Sequence, residues 1–251
     1  MTNIILRGCN GKMGQVITDI VEADENAVIV AGVDIFQNRV NKYPVYQSFA
    51  KCNVKADVII DFSSPVNMEE MLEFAVKKGI GIVLCTTGLS KEQLVAVEET
   101  SKRIPVFQSA NMSMGINLIS KLLKQATAVL ADAGFDIEIV EKHHNRKVDA
   151  PSGTALALAD VMNEALDNEY DYKYDRSGDR VMRNKKEIGI SAVRGGTIVG
   201  EHEIIFAGTD EVIEIKHTAY SKAIFAKGAV QAAKFLPGNP AGIYNMSDVM
   251  D

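Results

Sequence analysis

One stretch constrains this chain more than any other because of where it sits. Gly8-Cys9-Asn10-Gly11-Lys12-Met13-Gly14 directly follows the apolar run Ile4-Ile5-Leu6 and leads into Val16, Ile17, Ile20 and Val21, spaced as one face of a helix. A strand, a tight glycine turn and a helix in that order form the opening of a dinucleotide-binding βαβ unit. The glycines let backbone approach a pyrophosphate, whose charge the free N–H groups of the helix N-terminus stabilise. The spacing is G-x-x-G-x-x-G rather than G-x-G-x-x-G, so position carries more of this reading than pattern does. Asp34 lies twenty positions after Gly14, closing the apolar run Val28 to Val33, where a carboxylate accepts hydrogen bonds from an adenosine ribose. The plainer alternatives are a structural turn for the glycines and a solvated strand end for Asp34.

The segments that follow extend this pattern. Val58-Ile59-Ile60-Asp61-Phe62, Ile82-Val83-Leu84 and Pro105-Val106-Phe107 are continuous apolar runs rather than alternating ones, as expected for parallel strands covered on both faces. Ser64-Pro65 predicts a helix start, with an N-cap residue and a proline at the first position, running to Lys77-Lys78-Gly79. Ser90 and Gln93 predict a capping box on the next helix. About the first 110 residues therefore predict an α/β domain with a doubly wound parallel sheet. Cys85-Thr86-Thr87-Gly88 and Ser109-Ala110-Asn111-Met112 follow strands at the ligand-binding edge, as small-residue turns or as the lining of a nicotinamide site.

Beyond Asn111 the character changes. A helix over Gly115 to Ala131 precedes Phe135 to Glu141, whose apolar/polar alternation predicts a strand with one wet face. Ile188 to Val193, Ile198 to Phe206 and Val212 to His217 repeat the alternation, with turns at Gly195-Gly196 and Gly208-Thr209-Asp210, so a mixed or antiparallel α+β domain is expected. Arg194 to His202 reads as a hairpin, and Asp167 to Lys186, rich in charge, as an exposed excursion. Ser221 to Phe235 is helical by pattern.

The chemistry concentrates in Glu141-Lys142-His143-His144-Asn145-Arg146-Lys147-Val148-Asp149-Ala150-Pro151-Ser152-Gly153-Thr154. A loop leaving a strand with two histidines beside several cations suits an anionic substrate that must be protonated, and Ser152-Gly153-Thr154 opens a helix whose N–H groups can hold a carboxylate. A basic solvated loop is the blander account. A zinc site is not expected: adjacent histidines point apart, His202 and His217 sit in strands, and no cysteine is near. The chain's net charge of -6 gives no field for nucleic acid or anionic lipid. Its three separated cysteines support no disulfide framework and suit a reducing, cytoplasmic setting, and no apolar run reaches the roughly 18 residues of a membrane span. No serine or cysteine nucleophile arrangement stands out.

With these residues in hand, the whole chain resembles the 4-hydroxy-tetrahydrodipicolinate reductase (dihydrodipicolinate reductase) family of bacterial lysine and diaminopimelate synthesis. The resemblance rests on the Gly8 to Gly14 loop, on His143 to Ala155, which matches a highly specific family signature, and on Gly242-Ile243-Tyr244-Asn245-Met246 near the C-terminus. It implies a Rossmann-type domain from residues 1–112 and 219–251, a central α+β substrate and oligomerisation domain over 113–218, and a homotetramer. It implies that NADH or NADPH delivers a hydride to a cyclic imine dicarboxylate that has lost its 4-hydroxyl as water, giving tetrahydrodipicolinate. By the same resemblance His143 is the general acid and Lys147 a second proton donor or polarising cation, while His144, Gly153 and Thr154 bind a substrate carboxylate. Gly8, Cys9, Asn10, Gly11, Lys12, Met13, Asp34, Cys85, Thr86, Thr87, Ser109, Ala110, Asn111 and Met112 line the cofactor, and no metal is implied. Three positions depart from the common family pattern: Cys85 where many members have glycine, and Ile35 and Lys222 where many have arginine. Another NAD(P)-dependent dehydrogenase of a small amino or imino acid, or a dinucleotide-sensing module, shares the fold expectation; the latter leaves the His143 to Lys147 cluster without a purpose.

Overall fold

A computed structural model of the chain describes residues 1–178 and 180–250. In chain order the elements are β1 (Thr2–Arg7), α1 (Lys12–Glu22), β2 (Ala27–Val33), β3 (Val45–Tyr46), β4 (Val58–Asp61), α2 (Met68–Lys78), β5 (Gly81–Leu84), α3 (Lys91–Ser101) and β6 (Pro105–Gln108). Then come α4 (Met114–Asp132), β7 (Asp136–His143), α5 (Gly153–Glu164), β8 (Asp171–Lys173), β9 (Glu187–Arg194), β10 (Gly200–Ala207), β11 (Val212–Ala219), α6 (Ala223–Phe235), β12 (Gly242–Tyr244) and α7 (Met246–Met250). Two compact units result, one from Met1–Met114 with the segment from Ala223 onward, the other Gly115–Lys222.

The first unit is built on a seven-stranded sheet in the order β12-β6-β5-β4-β1-β2-β3, parallel throughout. The fold is α/β and Rossmann-like, and the chain reverses its winding direction beside β1, where such sheets bind ligands. The continuous apolar runs explain themselves here. Ile4, Leu6, Val58 and Ile60 pack with α1 and α6, while Ile5 and Ile59 between them pack with α2 and α3, all fully buried. Each such side chain contributes roughly 1.5–3 kcal/mol of transfer free energy, so both faces must be apolar. Ser90 and Gln93 form the expected capping box on α3. The helix expected from Ser64-Pro65 instead starts at Met68. The carbonyls of Pro65 and Val66 accept side-chain hydrogen bonds from Gln93 and Arg7, and Asn67 takes a left-handed conformation (φ 57°), so the chain turns once before the helix begins. The short strands β3 and β12 were not foreseen by pattern.

The second unit holds a five-stranded mixed sheet, ordered β11-β10-β7-β9-β8. β7 pairs antiparallel with β10 but parallel with β9, and β8 with β9 is parallel. Ile137, Ile139, Ile204 and Phe206 pack with Leu123 of α4 and Leu158 of α5 in one core. Three expectations are corrected here. Arg194 to His202 is no hairpin: β9 and β10 lie on opposite sides of β7, and residues 195–199 cross the end of that strand, with Gly195 N–H donating to His143 O (2.9 Å) and Asn145 N–H to Gly196 O (3.3 Å). β9 does not alternate in its first half. Glu187 to Ile190 are all buried, because Glu138, paired with Arg176 and Arg183, lies across Gly189 and covers the second face. The charged excursion is not simply exposed: it contributes the edge strand β8, and Arg183 binds Asp136 and the carbonyls of Ile137 and Glu187.

Candidate active site

In the first unit the glycine loop is closed by two contacts that allow no side chain. Gly8 has φ +78°, and a Cβ there would lie 2.6 Å from Phe62 O; a Cβ at Gly14 would lie 2.2 Å from Gly8 O. The turn is thus packed against the end of β4, and α1 starts after Gly11 without a side-chain cap or an acidic residue. Its first turn, Lys12 and Met13 onward, thus has no side-chain cap to compete for the N–H groups that an anion at a helix start uses. Asp34 directly follows β2 beside the loop: its Oδ2 accepts the Asn10 N–H (2.9 Å) and its Oδ1 the Phe36 N–H (2.9 Å). Each oxygen keeps a lone pair for a ribose hydroxyl. Asn10 is spent on scaffolding, donating to Phe36 O and accepting from Asn41. Cys9 is turned into the core, where burial and the nearby Asp34 push its thiol up to about 12. A cavity of about 330 Å³ opens between Gly8, Gly11, Asp34, Ile35, Phe36 and Phe62. This cradle fits a dinucleotide.

Arg7, which lines the cavity, belongs to a pair that reading by segments missed. Arg7 Nη1 lies 3.0 Å from both oxygens of Asp61, the two residues being register partners on β1 and β4, and Asp61 is fully buried. Cys85 and Thr86 follow β5 at the same edge: Cys85 N–H donates to Asp61 O, Thr86 Oγ1 accepts the Ser63 N–H (3.2 Å), and burial holds the Cys85 thiol well above its usual range. Thr87 continues that turn. Ser109 Oγ donates to Asn111 O (3.0 Å) after β6; Ala110 is exposed, Met112 is buried, and α6 passes so close that a Cβ on Gly228 would lie 1.7 Å from Met112 O.

In the second unit, β7 delivers His143 at its last position. Counting in twos from Ile137 and Ile139 puts Glu141 and His143 on the helix-facing side, a signal present in the alternation itself. Glu141 is fully buried, with Oε2 2.6 Å from His143 Nδ1. Arg194 of β9 clamps both carboxylate oxygens at 2.7 Å, and the Ser152 N–H donates to Oε1 at 2.9 Å. Burial alone would raise this carboxyl, but these donors outweigh it and hold Glu141 below its usual range. Ser152 caps α5, its Oγ accepting the Ala155 N–H, and also lies 3.0 Å from His202 Nε2. Burial, with the neighbouring His143, pushes His202 down to about 4, so its ring is neutral at pH 7.

The rest of the loop is close by in chain and space. Lys147 Nζ sits 2.8 Å from Asp149, whose carboxylate that contact and the Gly153 N–H hold low. Gly153 and Thr154 form the first turn of α5. His144 Nδ1 is buried without a hydrogen-bond partner among the described residues. Ser152 stands where the start of the helix was expected; Arg194 and His202 were not singled out from sequence as parts of this site, and the pairing of β9 and β10 with β7 brings them to His143.

Two family models cover the chain: "Dihydrodipicolinate reductase, N-terminus" matches residues 2–112 and "Dihydrodipicolinate reductase, C-terminus" residues 115–250. Proteins named 4-hydroxy-tetrahydrodipicolinate reductase from Clostridium novyi and Clostridium tetani are each 50% identical to it, over 100% of this chain and 98% of theirs. A dipicolinate-bound dihydrodipicolinate reductase from Paenisporosarcina sp. TG-14 superposes with a TM-score of 0.79 at 25% identity, covering 98% of this chain and 97% of that one. A probable dehydrogenase from Thermotoga maritima shares the fold at a TM-score of 0.59 and 13% identity.

Proposed function

The chain belongs to the dihydrodipicolinate reductase family, and from that membership we infer its reaction: NAD(P)H-dependent reduction of 4-hydroxy-tetrahydrodipicolinate to tetrahydrodipicolinate, in diaminopimelate and lysine synthesis. It is an oxidoreductase whose substrate is a small dicarboxylate. The observation that carries the assignment of roles is the meeting, within one unit, of a buried carboxylate–histidine pair at the end of β7 with the N-terminus of α5.

When bound, the nicotinamide supplies a hydride. This chain's own residues do the rest. Gly8, Gly11, Lys12 and Met13 present backbone to the pyrophosphate, with Cys9 and Asn10 supporting the turn from within, and Asp34 accepts from the adenosine ribose. Cys85, Thr86 and Thr87 with Ser109, Ala110, Asn111 and Met112 line the nicotinamide end. His143 donates the proton, Lys147 stabilises charge developing at the reduced imine, and His144 with the Gly153 and Thr154 N–H groups holds a carboxylate. Residues 1–112 with 219–251 form the cofactor domain, and 113–218 the substrate domain. The open face of the mixed sheet, with Val140, Ile205 and the half-exposed Val212 between charged pairs, joins copies of the chain into a homotetramer. The enzyme works in the cytoplasm.

Both nicotinamide cofactors are accepted, NADH at least as well as NADPH. Asp34 favours an unmodified ribose and repels a 2′-phosphate, Ile35 offers no charge, and Lys42 already pairs with Glu22 (2.7 Å). Oxidation of each cofactor with freshly prepared substrate tests reaction and preference together. No turnover with either would remove the reductase reading, and an NADPH preference beyond about a hundredfold, on the order of 2.7 kcal/mol, would remove the role of Asp34.

A further inference from the structure

We propose that Glu141 is a positioning residue that fixes the tautomer of His143, so that the proton His143 delivers is the one on Nε2. The proposal rests on the reading of His143 as the acid and adds the residue through which that acid is oriented.

The hydrogen-bond inventory of Glu141 leaves little choice. Four donors converge on it from three elements: Oε1 receives the Ser152 N–H and Arg194 Nη2, while Oε2 receives Arg194 Nη1 and faces His143 Nδ1 at 2.6 Å. An ionised carboxylate has only lone pairs to offer, so the short contact to His143 requires hydrogen on Nδ1. Arg194 makes the ionised form tenable in a fully buried position, since a lone buried charge would be neutralised. Nδ1 therefore keeps its hydrogen whether the ring is protonated or neutral, and Nε2 is the atom that gains and loses one. That atom points where strand β10 presents no side chain: a Cβ on Gly200 would lie 3.1 Å from Nε2. His202 meets the ring edge-on, 5.2 Å between centroids, and limits its swing. Through Ser152, the same carboxylate also anchors the start of α5, tying the proton donor and the proposed carboxylate seat to one group.

Replacing Glu141 by glutamine keeps the shape and reverses one end. The new NH₂ must face either the Ser152 and Arg194 donors on one side or His143 and Arg194 on the other; only the imidazole can change from donor to acceptor. Glu141→Gln is thus expected to turn the neutral ring to its Nε2–H form.

The test is ¹⁵N NMR of the 251-residue chain labelled at its four histidines, with His143 assigned by its loss in His143→Gln. Taken where the ring is neutral, the wild type is expected to show Nδ1–H with bare Nε2, and Glu141→Gln the reverse. Kinetically, kcat for Glu141→Gln should fall by roughly 10–100-fold, with KM for NADH within about twofold. A wild-type ring carrying its hydrogen on Nε2 overturns the proposal, and does so even if the variant fails to fold. A variant that keeps both the wild-type tautomer and kcat overturns it as well. If His143→Gln itself keeps wild-type kcat, the acid role falls, while the ring nitrogens still decide whether Glu141 sets the tautomer.

Discussion

His143 and His144 are chain neighbours in unlike surroundings, and the difference predicts unlike kinetic phenotypes. His143 ends a strand, buried and bonded to Glu141, whereas His144 begins the loop with a buried, unpartnered Nδ1 among the described residues. A proton donor acts only as the transition state forms, so His143→Gln should lower kcat by roughly 10²–10⁴ and change KM less. A group that holds a carboxylate in ground and transition states alike should act mainly through KM, which is the expectation for His144→Gln. Steady-state kinetics of the two variants would invert this assignment if the effects were exchanged. His202 carries a stability prediction instead. Burial, the nearby His143, and beyond it His217 and Lys147 lower its pKa from 6.5 to about 4, against the opposing pull of Glu141. Between those values the unfolded ring binds a proton that the folded ring does not, so stability contributed above pH 6.5 is lost as pH falls toward 4. The loss from this one group is about 2 kcal/mol at pH 5 relative to pH 7.5. Urea unfolding at both pH values should show that slope in the wild type and a shallower one in His202→Gln; equal slopes would mean that this ring does not set it.

At the scale of elements, the same device serves two ends. Ser90 caps α3 and Ser152 caps α5, each accepting a backbone N–H from the helix it starts. Losing either hydroxyl to alanine should cost about 1 kcal/mol of stability, read as a lower denaturation midpoint. Only Ser152 sits at the proposed carboxylate seat, with its Oγ also on His202 and its N–H on Glu141. Ser152→Ala should therefore raise KM for the dicarboxylate several-fold while Ser90→Ala leaves it unchanged, and an unchanged KM in both would detach the start of α5 from substrate binding. Strand β7 makes a comparable division of labour within eight residues. Its early core-facing positions are isoleucines packed in the core, and its last two are Glu141 and His143, where the sheet ends and chemistry begins.

For the whole molecule, the open face of the mixed sheet is the surface proposed to meet other copies of the chain. It carries Val140, Ile205 and Val212, together with Glu201 bridged by Lys142 and Lys216. Cross-strand pairs of opposite charge keep such a face wettable in the monomer and matched to a second copy. Native mass measurement is expected to find four chains of 27.3 kDa, and Ile205→Asp to lower that mass. A monomer in the wild type at micromolar concentration would refute the oligomer proposed for this face.

Much of the architecture was legible in the residues alone. Continuous apolar runs implied strands buried on both faces, the glycines from Gly8 to Gly14 implied a tight turn between a strand and a helix, and Ser90 with Gln93 announced a helix start that the structure repeats. The turn and the helix start are local rules, read within a few residues of chain, whereas the helices that cover both strand faces and the Phe62 carbonyl that excludes a Cβ from Gly8 come from distant segments. Ser64-Pro65 shows the limit of such local rules: Gln93 and Arg7, far away in sequence, donate to the carbonyls of Pro65 and Val66, and the chain turns through a left-handed Asn67 before α2 begins. The same holds at both candidate sites. Period-two counting says which face Glu141, His143 and His202 occupy, but not that β9 and β10 flank β7, nor that Arg194 closes on Glu141 from 53 residues away. Strand order is decided by pairing between distant segments, where the favourable partner is whichever edge buries the most apolar surface and satisfies the most backbone. Arg7 with Asp61, and Arg194 with Glu141, are consequences of that choice, which is why tertiary structure alone reveals them.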